Sequence, residues 1–371
     1  MISPTISSPL GVSPEFRHIA VLDAIRGVAA LAVFIHHYSQ QFLDGSNVGA
    51  IGCVFSYLGV WGVGVFFVLS GFCIHWSTLT SKGGIRSFNF RTYIIRRFFR
   101  IYPALILCLL VCAILGFYWQ TNNISRPSWG AFWRHAALLS TFSAGSRVAI
   151  NSVVWSVVIE CHFYLFYALF VPLLRRRGMV ALLLLALMLG FSAYMISVLT
   201  FPRGEMRVLW QQTSMALWWQ WCLGALLAEF AVRQTSSLCG MSALCLALSL
   251  VAFAFSLGIA FMPETLRIQA QRFALPPLAA IAIGGLILPS SRGWRVPLLS
   301  WLGEISYSIY LFHPAAILIV YYTIGRSSEI REFLAAFAIM VAIAATMYYI
   351  VEKNFVQIGK SIVRKLESPS S

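Results

Sequence analysis

Arg26 and His37 stand eleven residues apart in one otherwise apolar run, Leu-Asp-Ala-Ile-Arg-Gly-Val-Ala-Ala-Leu-Ala-Val-Phe-Ile-His-His-Tyr, long enough to cross a bilayer. Ionisable side chains inside a span are costly unless paired or wetted, so they mark cavities and partners. At about 1.5 Å of rise per residue the two lie ~16 Å apart along a helix, Arg26 near an interface and His37 near mid-membrane. An imidazole at that depth suits general-base chemistry on a hydroxyl, with a carboxylate to orient it. Glu160, His162 and His313 fall at similar depth in other apolar runs, whereas Asp23, Glu304 and Glu352 collect with Arg26 near one end. The competing reading is structural: a histidine bonded between helices, and Asp23 and Arg26 neutralising one another at i, i+3.

A second group suits anion and sugar recognition. Arg96-Arg97-Phe-Phe-Arg100 places Arg97 and Arg100 at i, i+3, a fork for phosphate or an anchor to anionic headgroups. Trp155-Ser156-Val-Val-Ile-Glu160 and the run Ser306 to Pro314, with Tyr307, Tyr310 and His313, carry aromatic side chains with polar tips. These form either a platform for a sugar ring or a polar seam between helices. Glycines 59, 62, 64 and 71 allow close approach of a neighbouring helix or of a thin ligand arm. Ser70 has no neighbouring base in sequence to make it a nucleophile.

These residues need a membrane scaffold. With 59% hydrophobic and 11% charged residues among 371, and a mean hydropathy of +0.80, the chain reads as an all-α polytopic membrane protein. About ten spans are expected, near 20–42, 57–78, 99–119, 150–174, 179–199, 211–231, 239–261, 271–289, 304–324 and 331–351. The stretch Trp129 to Phe142 is short and interrupted by Arg134 and His135, as an interfacial or re-entrant segment would be.

The net charge of +15 resides mostly at span ends, which argues for topology rather than nucleic acid. One side carries about twice the Lys/Arg of the other, which predicts cytoplasmic N- and C-termini. Residues 1–19 are expected as a cytoplasmic segment, 20–351 as the membrane domain and 352–371 as a cytoplasmic tail. The first apolar run, with its charges, reads as a retained span and not a cleaved signal. Eight cysteines form no C-x-x-C pair, so neither a metal site nor a disulfide framework is expected. No internal repeat supports an inverted-repeat transporter.

In order along the chain, Arg26 with His37, Phe-Phe-Val-Leu-Ser-Gly-Phe at 66–72, Arg97-x-x-Arg100, Trp-Ser-x-x-x-Glu at 155–160 and Ser-Tyr-x-x-Tyr-Leu-x-His-Pro at 306–314 resemble the acyltransferase 3 family of integral membrane O-acyltransferases. Val351-Glu352-Lys353-Asn354-Phe355 departs from the family's closing pattern by having Asn where proline is usual, and His36 stands where an apolar residue is usual.

The resemblance implies a multi-pass protein of the bacterial inner membrane. It would transfer an acyl group, most often acetyl, from acetyl-CoA to a hydroxyl of an extracytoplasmic carbohydrate. It implies no permanently bound cofactor, with acyl-CoA as co-substrate and the bilayer and a carbohydrate acceptor as partners. His37 would be the base, Glu160 its orienting carboxylate, and Arg26 a donor anchor or oxyanion stabiliser. Arg96, Arg97 and Arg100 would hold donor phosphates, with Ser70 and Gly71 along the path of the pantetheine arm. Trp155, Tyr307, Tyr310 and His313 would meet the acceptor. Succinyl transfer, or a carrier for a lipid-linked sugar that forms no bond, are the alternatives.

Overall fold

Inside hydrocarbon every backbone amide must find its partner within the chain, and a chain this apolar does so by folding into helices. The computed structural model describes residues 20–43, 49–121, 124–202, 204–234, 242–287, 296–325 and 330–367, among which no strand occurs. The expected N-terminal segment 1–19 and the end of the expected tail, 368–371, lie outside the described residues.

Among the described residues fifteen α-helices follow one another. They are α1 Ala20–Phe42, α2 Gly49–Leu79, α3 Phe90–Tyr118, α4 Trp129–Ala136 and α5 Ala144–Arg147. Next come α6 Val154–Thr200, α7 Glu205–Gln211, α8 Ser214–Gln234, α9 Ser242–Gly258 and α10 Glu264–Phe273. The last are α11 Leu275–Ile287, α12 Pro297–Glu304, α13 Ser306–Thr323, α14 Ile330–Met347 and α15 Lys353–Glu367, with a π-helical turn Tyr348–Glu352 between α14 and α15. Local chemistry sets several starts: Asn89 accepts from the Thr92 amide to cap α3, and Ser128 accepts from the Ala131 amide to cap α4.

Among the described residues, seven helices are long and apolar enough to cross a membrane, nine if the bent pairs α10–α11 (51°) and α12–α13 (77°) each count as one span. The expected ten differs because the 47 residues of α6 form one element, kinked at Gly178, where the sequence shows two apolar runs. A straight helix of that length would measure ~70 Å, more than twice the hydrocarbon thickness. Gly178, at φ 77° and ψ 177°, interrupts it in a conformation that glycine alone adopts readily. The Glu229 carboxylate of α8 accepts from the Met179 amide just past the break, lies 3.5 Å from His75 Nε2 of α2 and pairs with Arg233 at 3.4 Å. His75 in turn bonds the Tyr167 hydroxyl at 2.9 Å.

Helix α2 is the pillar of the bundle. A Cβ at Gly71 would collide with the Trp221 carbonyl and one at Gly224 with the Val68 carbonyl, so α2 and α8 touch backbone to backbone. Gly62 likewise admits the Ala29 carbonyl of α1, and Gly303 of α12 lies against the Asp23 carbonyl. Helix α13 is buried on nearly every side, which carries Tyr310 and His313 into the interior. Residues 353–367 of the expected tail continue as an amphipathic helix on α3, with Phe355 stacked on Phe99 and Gly359 against the same ring. Trp129 and Trp133 of the short α4 are exposed, in keeping with an interfacial segment.

Candidate functional site

The carbonyls of two helices decide which ring nitrogens carry protons in the interior. On α13, His313 Nδ1 lies 3.2 Å from the Ile309 carbonyl, which can only accept, so Nδ1 carries the hydrogen and Nε2 keeps its lone pair. That Nε2 lies 3.2 Å from His37 Nδ1 on α1, which is also 3.0 Å from the Val33 carbonyl. His37 Nδ1–H therefore faces two acceptors, and the network assigns the free lone pair of His37 to Nε2. His36 turns toward α2, where its Nδ1 meets the Phe55 carbonyl at 3.1 Å and its ring packs edge-on against His37.

Tyr310 links this pair to the start of α6. Its ring lies 6.0 Å from that of His313, and its hydroxyl is 2.6 Å from Ser156 Oγ. Trp155, the residue before, lies under the Arg147 guanidinium at 5.1 Å; burial lowers the pKa of Arg147, which sits outside the spans. Tyr307 donates to the Ile101 carbonyl of α3 at 3.0 Å.

Glu160 faces elsewhere. The Tyr164 hydroxyl donates to it at 2.5 Å, and the hydrogen bonds at His37 go to Val33 and His313 instead. Tyr164 belongs to a relay: Trp221 Nε1 donates to Ser70 Oγ at 3.2 Å, and Ser70 meets the Tyr164 hydroxyl at 3.1 Å. The Arg97 guanidinium lies 5.9 Å from the ring centres of both Tyr93 and Tyr164, and its Nε is buried without a partner. Arg26 donates to Asp23 at 2.6 Å and to Cys73 Sγ at 2.8 Å, with Arg97 in electrostatic reach of the same sulfur. Arg26, Arg97, Tyr164 and Glu160 thus gather beside Ser70 and Cys73, in the last third of α2.

Below them a cavity of about 440 Å³ opens between α2 and α3, lined by Lys82, Asn89, Thr92, Tyr93, Arg96 and Arg97 among others. Arg97 brings an unsatisfied buried donor to its wall and Lys82 a second cation, a donor set that fits phosphate. Arg96 is shared with Glu367, 3.7 Å away. Arg100 does not line the cavity: it turns to Glu352 at 3.7 Å, a carboxylate that also accepts from Ser308. Gly71 does not line it either, because the space a side chain would take is filled by α8. His162 bonds the Leu138 carbonyl at 2.9 Å, on the α4 side of α6.

The acyltransferase domain family matches residues 19–349. The chain belongs to the acyltransferase 3 family. It is 26% identical over 328 residues to YrhL of Bacillus subtilis (strain 168), provisionally named a peptidoglycan O-acetyltransferase; the match covers 80% of this chain and 48% of YrhL. It is 26% identical over 319 residues to the acyltransferase MdmB of Streptomyces mycarofaciens, covering 81% of this chain and 79% of MdmB. SACOL0978 of Staphylococcus aureus (strain COL), provisionally named an O-acetyltransferase, matches at 28% over 162 residues, 41% of this chain and 24% of that protein. The chain spans about half the length of YrhL and less of SACOL0978. No solved structure matches it.

Within this acyltransferase 3 chain the expected residues separate into two groups. His37, His313 and Tyr310 adjoin one another, with Trp155 beside the Ser156 that Tyr310 meets. Arg97, Glu160, Ser70 and Arg26 form the other set, joined through Tyr164 and Cys73. Arg96 lines the cavity, while Arg100, Gly71 and Tyr307 are engaged in contacts between helices. Cys73 was one of eight cysteines in apolar runs and Lys82 one of many basic residues. Only the pairing of α1 with α2, and the cavity that Lys82 shares with the start of α3, single them out.

Proposed function

We propose that the protein is a membrane O-acyltransferase that moves an acetyl group from acetyl-CoA to a hydroxyl of an extracytoplasmic carbohydrate. The observation that carries this reading is the His37 imidazole, whose Nε2 lone pair is kept free by bonds from Nδ1 to Val33 and His313. The acceptor oxygen attacks the thioester carbonyl as His37 Nε2 takes its proton. The tetrahedral adduct then collapses, the C–S bond breaks, and the imidazolium returns the proton to the departing thiolate. General-base assistance of this kind contributes roughly 10²- to 10⁴-fold in rate.

The cavity beside Lys82, Arg96 and Arg97 supports a polyphosphate donor there, and Arg26, held on Asp23 and Cys73 about 16 Å along α1 from His37, is placed to anchor the donor. Tyr310 packs against His313 and would begin the acceptor side, with Trp155 following through the Tyr310–Ser156 hydrogen bond. YrhL's name points to a cell-wall glycan as the class of acceptor. Counting α6 as two spans divided at Gly178, and each bent pair as one, would make ten crossings, which supports termini on one side of a bacterial inner membrane; the Lys/Arg bias would make that side the cytoplasm.

The test is release of free thiol from acetyl-CoA by the full-length protein in proteoliposomes, with and without a glycan acceptor. Acceptor-dependent release by the wild type, lost in His37→Ala at equal protein level, is the expected result. Movement of acceptor across the vesicle with no thiol released would replace transfer by carriage.

A further inference from the structure

A second cavity, of about 390 Å³, lies on the far side of α8 from α2, where α6, α7, α8 and α10 meet. Its wall along α6 is a single helical stripe, Leu187, Phe191 and Tyr194, covering about 10 Å. Trp219 of α8 closes the back, and Arg272 with Gln211 forms the other end. The cavity is therefore apolar along its length and cationic at one end.

That cation is built in. Arg272 Nη2 donates to Gln211 Oε1 at 2.7 Å, and Gln211 is itself held by a 3.0 Å bond from its Nε2 to Ser197 Oγ. The guanidinium lies 5.0 Å over the Tyr194 ring. Among the described residues no carboxylate pairs with it. A guanidinium has five N–H donors, so fixing one to Gln211 leaves a fork for an anion. The polar end sits where α6 ends at Thr200 and α8 begins at Ser214, at the depth of a span terminus, and the mouth is open to the bilayer past Phe191, which is 61% exposed.

We propose that this cavity is a binding site for one anionic phospholipid of the surrounding membrane. The phosphate diester accepts from Arg272, and the first stretch of acyl chain lies along Leu187, Phe191 and Trp219. A single guanidinium matches the single negative charge of such a headgroup, whereas a lipid diphosphate carries more charge than one cation balances. The lateral mouth admits a lipid directly from the bilayer. The lipid would brace α10 against α6, α7 and α8, since α6 and α8 already touch beside the cavity, where Gly190 lies against the Ala216 carbonyl and Trp219, whereas α10 shares little direct packing with them. The assignment does not depend on the acyl-transfer reading, since it concerns a cavity remote from His37 and is tested by binding alone.

Delipidated full-length protein in detergent, titrated with lipid and read by native mass spectrometry, decides it. The expected result is one phosphatidylglycerol bound at least tenfold more tightly than diacylglycerol, which lacks the phosphate. Arg272→Gln should lose that preference, and Arg267→Gln, on the same helix but outside the cavity, should keep it. Gln211→Glu guards against a folding artefact, because its carboxylate neutralises Arg272 in place and should also abolish the preference. Equal binding of phosphatidylglycerol and diacylglycerol would overturn the proposal, as would wild-type binding by Arg272→Gln. A tenfold preference for a polyprenyl diphosphate would overturn it too, by giving the cavity to a different occupant.

Discussion

His313 Nε2 lies 3.2 Å from His37 Nδ1, so two imidazoles on α13 and α1 share one hydrogen and leave the outer nitrogen of His37 open. The bond makes His313 a positioning residue for the proposed base. His37→Ala should lower turnover by about 10²- to 10⁴-fold. His313→Ala should lower kcat by roughly 10- to 100-fold with KM for acyl-CoA little changed, and His313→Gln should recover part of the loss by restoring an acceptor. The double variant should be no worse than His37→Ala, since the second residue acts through the first. Steady-state kinetics in proteoliposomes at matched protein levels check each of these.

Arg97 and Arg100 should separate in kind. Arg97→Gln removes a cavity-lining donor and should raise KM for acyl-CoA several-fold with stability unchanged. Arg100→Gln takes away a partner of the buried Glu352, so it should lower thermal stability instead; with Arg100 itself partly exposed, the loss is on the order of 1 kcal/mol. Thermal unfolding in detergent beside donor titrations distinguishes the two.

That division shows what sequence could and could not reveal. Both arginines were visible as cations at the start of an apolar run, and three residues of helix put them about 60° apart around the axis. Which one faces the cavity depends on where α15 packs, and α15 was read as a tail. Likewise the spans were legible from their apolar runs, including the division of the α6 region into 150–174 and 179–199. The choice between Glu160 and His313 as the partner of His37 was not legible, because depth along a helix says nothing of its facing side. Glu160 shares the layer yet turns to Tyr164.

Tyr164→Phe and Glu160→Gln should both act through Arg97. Each should raise KM for donor by a factor of about three to ten, by loss of the hydrogen-bonded wall around the guanidinium, and their effects should not add. A fall in kcat alone at unchanged KM, in either variant, would return Glu160 to the histidine pair.

Gly71→Val should wedge α2 from α8. Overpacking at a backbone contact costs roughly 1–3 kcal/mol or more, so the variant should yield less folded protein by size-exclusion chromatography. What does fold should bind donor with wild-type KM, because the glycine serves the helix contact.

Glu229 binds together parts that the chain otherwise leaves independent: the Met179 amide after the Gly178 break, His75 on α2 and, through His75, Tyr167 on the first half of α6. Helices pinned to one carboxylate cannot slide along one another without unpairing it inside the bundle. The floor of the arginine-lined cavity, formed partly by Ile74 and Thr78 beside His75, therefore shares its mechanical anchor with the swivel in α6. Any tilt that a ligand imposes on α2 is delivered to that swivel first.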